Sequence, residues 1–202
     1  MKIVSSAEKK VFSSLTTPFK IQDYLNSIPF NHEKHGETCM SPTRVLRENK
    51  AHCIEGALLA GVALLLQKRD PLIINLKVRE DDYDHIIVLY KEHGYYGAIS
   101  KTNHNVLRFR DPVYKTVREL VMSYFHEYFL VSNGEKTLIG YTRPINIKRF
   151  GTKWIGRQDD LWDIAEKIYD TPIIEIVPKE NKKYIRNASV IERKSADIEE
   201  WP

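Results

Sequence analysis

The residue pattern predicts an α+β fold in which one buried central helix packs on an antiparallel sheet. Three observations carry that reading. After Glu55 no polar side chain occurs until Gln67, and a helix apolar on every face belongs in the centre of a domain. The segments Pro71–Val78, His85–Tyr90 and Tyr95–Ser100 are rich in β-branched and aromatic residues, as strands are. The last two segments meet at Glu92-His93-Gly94, which reads as a tight hairpin turn.

Helix starts are marked in order along the chain. Thr17-Pro18, Ser41-Pro42 and Asp111-Pro112 each set an N-cap residue before a proline at the first helical position. Pro18 opens a short helix with Phe19, Ile21, Tyr24, Leu25 and Ile28 as its apolar stripe. Pro42 opens another around Val45 and Leu46. The third proline predicts a longer helix, because Val113, Val117, Leu120, Val121, Tyr124, Phe125 and Tyr128 recur at helical spacing. In the central helix the small residues Gly56, Ala57, Ala60, Gly61 and Ala63 permit close approach of the sheet. Further on, Lys136–Tyr141 and Ile145–Lys148 read as short strands around Pro144, Asp159–Tyr169 as a helix, and Ile173–Val177 as a final strand. From Lys179 the chain is mostly polar and charged, a loosely held tail. The organisation is therefore one domain over residues 1–178 with a tail over 179–202.

Composition narrows the class. The chain has 202 residues, 42% hydrophobic and 29% charged, enough to bury a core in one domain. Net charge is +4, with basic and acidic residues interleaved; this gives no basic stripe for a phosphate backbone, and no nucleic-acid partner is expected. The apolar run is shorter than the roughly 20 residues that span a bilayer, so no membrane association is expected. With Cys39 and Cys53 its only cysteines, the chain is no disulfide scaffold. Its start, Met1 to Lys10, has no apolar leader. A reducing cytoplasmic location follows as the expectation.

Cys53 opens the apolar helix, where unpaired backbone N–H groups and the helix dipole favour a thiolate. A thiol so placed is set up as a nucleophile if a base can reach it. Of the seven histidines, His85 is the candidate. It begins a strand directly after the acidic stretch Glu80–Asp84, and a strand start at a sheet edge can face a helix start. His93 lies at the far end of that hairpin, His32 and His35 in a polar loop, and His126 on the helix after Pro112. Pairing the hairpin about its turn places Ser100 or Lys101 opposite His85; a one-residue slip exchanges faces. The group that orients His85 then comes from Ser100, Asn103 or His104. The backbone N–H of Cys53, with Asn49 or His52 from the preceding loop, is the candidate oxyanion site. Against these stand plainer roles: Cys53 as a small core residue, His85 as a hydrogen-bonded strand histidine, Ser100 and Asn103 as strand-end and turn residues, and Asp111 as a helix cap. A zinc reading of His32, His35, Cys39, His52 and Cys53 is weak, because the spacing is loose and adjacent His52 and Cys53 rarely bind one ion together.

From about Ile21 to Thr102, roughly two-fifths of the chain, the sequence resembles transglutaminase-like proteins of the papain-like cysteine-enzyme superfamily. The resemblance rests on Cys53-Ile-Glu-Gly-Ala57, on Asp84-His85-Ile-Ile-Val88 and on Tyr96-Gly-Ala-Ile-Ser100. It implies a helix bundle on an antiparallel sheet, and acyl transfer from an amide through a thioester. It also implies Cys53 as nucleophile and His85 as base. Two positions depart from the family. Ser100 stands where the family has aspartate, and Ile87 where it has an aromatic residue. The string Gly97–His104 is similar to an uncharacterised bacterial branch. A serine hydroxyl accepts an imidazole N–H but carries no charge; Asn103 is the alternative, an amide of the kind used in papain-like enzymes.

The expectation is a cysteine-dependent enzyme cleaving or transferring amide bonds: an amidase, peptidase, deamidase or transglutaminase type. No cofactor and no metal is expected, and the partner is a peptide, protein or small amide substrate. The alternative is a non-catalytic binding module on the same fold. Substrate, acceptor and oligomeric state are not legible in the chain.

Overall fold

The computed structural model describes residues 5–200. The first four residues, on which the expectation of a leaderless start partly rests, lie outside the described residues, as do the last two. The chain folds as α1 (Ser6–Ser14), α2 (Pro18–Ser27), α3 (Pro42–Glu48), α4 (Cys53–Leu66), β1 (Leu72–Val78), β2 (His85–Glu92), β3 (Tyr95–Ile99), β4 (Arg110–Tyr114), α5 (Val117–Met122), β5 (Leu138–Thr142), β6 (Ile145–Asn146), α6 (Trp162–Tyr169), β7 (Ile173–Glu175) and α7 (Val190–Ala196). It is a mixed α/β structure around one antiparallel sheet, ordered β4-β3-β2-β1-β5-β7, with β6 also on β1. Among the described residues no helix is long and apolar enough to cross a membrane.

The caps form as their residue types dictate. Thr17 accepts the Lys20 N–H and Ser41 the Arg44 N–H, and each precedes a proline whose missing N–H costs nothing there. Helix α4 is buried from Ile54 to Leu64. It lies against one face of the sheet with Ile86, Val88 and Tyr90 of β2, while Ile87 and Leu89 face a second core with Leu120, Val121, Tyr124 and Tyr128. The small residues set how close α4 sits. A Cβ on Gly56 would come within 2.5 Å of the Lys101 Cβ, and one on Gly61 within 2.6 Å of Ile147 Cδ1.

Three features differ from the sequence reading. Asp111 and Pro112 lie in β4, at the sheet edge, not at a helix start. Proline is tolerated there because an edge strand has a side with no ladder to donate to. Thr116 is the true cap, accepting the Glu119 N–H, and α5 is correspondingly short. The β2–β3 hairpin turns through two residues, His93 and Gly94, both at positive φ. Glu92 thus pairs with Tyr95 and Val88 with Ile99; continued, that register sets Thr102 opposite His85, and Ser100 becomes a diagonal neighbour. Third, the tail is docked, not loosely held. Glu200 N donates to Asn103 O at 2.6 Å and Asn105 N to Ile198 O at 3.0 Å. The Glu200 carboxylate also takes the Arg108 guanidinium at 2.9 Å.

Gly56→Ala is expected to destabilise the fold by about 1–3 kcal/mol, as overpacking of a close contact does. Urea unfolding would read this as a lower midpoint at unchanged m-value; an unchanged midpoint would mean that Lys101 yields freely.

Candidate active site

Cys53 is the first residue of α4, is half-buried, and lines a cleft of about 990 Å³. His52, the residue before it, has extended backbone and caps the helix. Its ring Nδ1 stands 4.0 Å from the Cys53 Sγ, and its Nε2 is 2.9 Å from the Thr38 carbonyl. A carbonyl can only accept, so Nε2 carries a proton, and Nδ1 faces the sulfur. Behind the ring, Glu33 and Glu55 each place a carboxylate oxygen 3.5 Å from Nε2.

Glu55 is fully buried. Its carboxylate accepts from Met40 N (2.9 Å), Thr38 Oγ1 (2.8 Å), His52 N (2.9 Å) and Asn31 Nδ2 (3.2 Å). The loop from Asn31 to Met40 is thereby fastened to the start of α4, and the His52 ring with it.

His85, at the start of β2, is buried, and its Nε2 lies 2.7 Å from Ser100 Oγ. Ser100 Oγ donates to the Leu107 carbonyl at 2.6 Å, so towards the ring it accepts. This fixes the proton of His85 on Nε2 and leaves Nδ1 as the atom able to take a thiol proton. Ser100 is itself held by α2: Gln22 Nε2 donates to its carbonyl (2.7 Å) and its N–H donates to Gln22 Oε1 (3.0 Å).

Electrostatics separate the two cysteines. Burial pushes the Cys53 thiol up, but hydrogen bonding to His52 and His85 and the charges of both rings pull it down to about 5. Burial pulls the His52 imidazole down, yet its bond to Cys53 and the negative charges of Glu55 and the thiolate raise it to about 9. Cys39 is sealed in the core; burial, then the charge of Glu55, push its thiol up to about 12.

Of the residues singled out from sequence, the structure brings Cys53, His52, His85 and Ser100 together. It does not bring Asn49, which is exposed and closes α3 in the left-handed region at φ 52°. Asn103 lines the cleft, but its amide donates to Glu199 at 3.1 Å, away from the imidazole. His52 proves to contact the thiol side chain, a placement that its reading as an oxyanion group did not foresee. Sequence reasoning passed over Glu55 and Gln22. Both carried a signal: Glu55 follows the cap at the third helical position, and Gln22 interrupts the apolar stripe of α2. Among the described residues no group of three or more His, Cys, Asp and Glu is set to hold a metal ion.

No protein-family model matches the chain, and no curated protein matches it. Among solved structures, LapG of Legionella pneumophila is similar with a TM-score of 0.40 and 10% identity, over 78% of this chain and 83% of that one.

The thiolate is present above pH about 5 and the His52 imidazolium below about 9, so the ion pair occupies the window between. Alkylation of Cys53 by iodoacetamide should therefore rise with a midpoint near 5 and be flat through neutrality, with Cys39 unlabelled. His52→Ala and His85→Ala should each move the midpoint up, His52→Ala further. Rates against pH, with sites located by mass spectrometry, check this; a parent midpoint near the ordinary thiol value would refute the pairing.

Proposed function

We propose that this chain is a cysteine-dependent acyl-transfer enzyme acting on amide bonds, with the transglutaminase-like, papain-like relationship that its motifs resemble. The observation that carries the proposal is the contrast between its cysteines. One thiol is sealed in the core; the other opens a helix on the wall of a large cleft that His52 and His85 also line, its Sγ 4.0 Å from the His52 ring, with both imidazoles lowering its pKa.

In this reading the Cys53 thiolate adds to the amide carbonyl. The carbonyl oxygen takes the electron pair and faces the backbone N–H groups at the start of α4. The nitrogen leaves with the proton that His85 Nδ1 took from the Cys53 thiol, giving a thioester that water or an amine resolves. The two rings divide the work. His52 holds its proton tightly, being raised to about 9, and is fixed by Thr38 and backed by Glu55, so it sustains the thiolate. His85, oriented through Ser100, carries the proton between sulfur and leaving nitrogen.

Ser100 favours a second reading, a binding module. A hydroxyl orients an imidazole without stabilising its charge, as suits a site that binds and does not turn over.

The two are separated by assaying parent and Cys53→Ala on three probes: internally quenched peptides, ammonia release from glutaminyl and asparaginyl peptides, and dansylcadaverine incorporation into casein. Turnover of at least one, falling by roughly 100-fold or more in Cys53→Ala, is expected of an enzyme whose nucleophile is removed. No turnover by a parent whose Cys53 alkylates normally would sink the acyl-transfer proposal in favour of binding.

A further inference from the structure

Tyr128 lies beyond α5, with its ring in the second core, and is 3% exposed. It lines the cleft that holds Cys53 and His85. Its hydroxyl is buried and has no hydrogen-bond partner among the described residues. Buried phenols normally find one, and the neighbouring Tyr124 does, donating to the Arg108 carbonyl at 2.9 Å. Nearby carboxylates are already engaged. Asp84 accepts from Asn75, Lys77 and Val78, and Asp82 from Thr137 and Tyr83. Burial, then the negative charges of Cys53, Asp82 and Asp84, hold the phenol well above the usual tyrosine range. The group therefore keeps its proton near the thiolate and has nothing to give it to. The sulfur is not its acceptor either, since the hydroxyl has no hydrogen-bond partner among the described residues.

We infer that Tyr128 is a carbonyl-binding catalytic residue, whose hydroxyl donates to the oxygen of the amide that Cys53 attacks. This rests on the acyl-transfer reading above. As the Sγ–C bond forms, the C=O π pair moves to oxygen, and the phenol O–H and the α4 N–H groups share the developing charge. When the oxygen pair returns, the C–N bond breaks and the amine leaves with the proton that His85 took from the thiol. An orphaned donor in the free protein is thus satisfied only with substrate bound, and most strongly in the tetrahedral state.

N-acetylglycinal tests this, because Cys53 adds to an aldehyde to give the same kind of tetrahedral oxygen. Iodoacetamide, which alkylates sulfur without forming one, is the control. Binding of the aldehyde is read from its slowing of Cys53 alkylation, in the parent and in Tyr128→Phe. The variant removes only an unpartnered oxygen, so its thermal midpoint should not fall. Its aldehyde dissociation constant should rise roughly tenfold or more, as loss of an oxyanion donor implies. Its alkylation rate and pH midpoint should match the parent. Equal aldehyde binding by both proteins would overturn the assignment, and so would a parent that alkylates but binds no aldehyde. A shifted alkylation midpoint in Tyr128→Phe would overturn it too, by making the phenol a partner of the thiolate. If parent Cys53 alkylates no faster than Cys39 at pH 6, the acyl-transfer reading itself fails.

Discussion

The cleft depends on one buried carboxylate. Glu55 has no exposure to solvent, and an isolated charge there would cost several kcal/mol. The cost is offset because every donor around it points inward: two backbone N–H groups, the Thr38 hydroxyl and the Asn31 amide. Charge-assisted bonds of this kind are worth about 1.5–3 kcal/mol each. They join a loop far from α4 in sequence to its first turn. Without that tie the Thr38 carbonyl has no reason to lie where it orients His52. Cys53 would then keep its helix terminus but lose its nearest imidazole.

Much of the frame was legible because its signals are local. A fourteen-residue apolar helix with small residues, the β-branched segments and the capped prolines each state their own structure. The sequence misled where a local signal met a tertiary one. Asp111-Pro112 has the form of a cap, but β3 had an open edge and β4 took it. Residues 179–200 look like a solvated tail because their charges are partnered by residues far back in the chain: Glu199 by His104 and Glu200 by Arg108.

The site shows the same division. Cys53 and His85 are marked by what precedes and follows them. That Ser100 meets His85 depended on a register that a two-residue turn shifts. The diagonal still put the hydroxyl and the ring on one face, whereas Lys101 turned inward to the Ile28 carbonyl at 2.7 Å. Glu55 and Gln22 could not be placed from sequence, since their partners lie in other elements: the Asn31–Met40 loop for one, the backbone of Ser100 for the other.

Ser100 sits in a hydrogen-bond wire with a fixed polarity. The His85 Nε2–H donates to the serine hydroxyl, and the serine hydroxyl donates to the Leu107 carbonyl, where the wire ends. Only a group that can donate and accept at once fits the middle of that wire. A carboxylate there would confront the Leu107 carbonyl, lone pair against lone pair. The serine is therefore the residue this backbone asks for. The negative charge absent behind one imidazole is found behind the other, where Glu55 backs His52. The two rings beside Cys53 are thereby backed differently, one by a carboxylate and one by a hydroxyl.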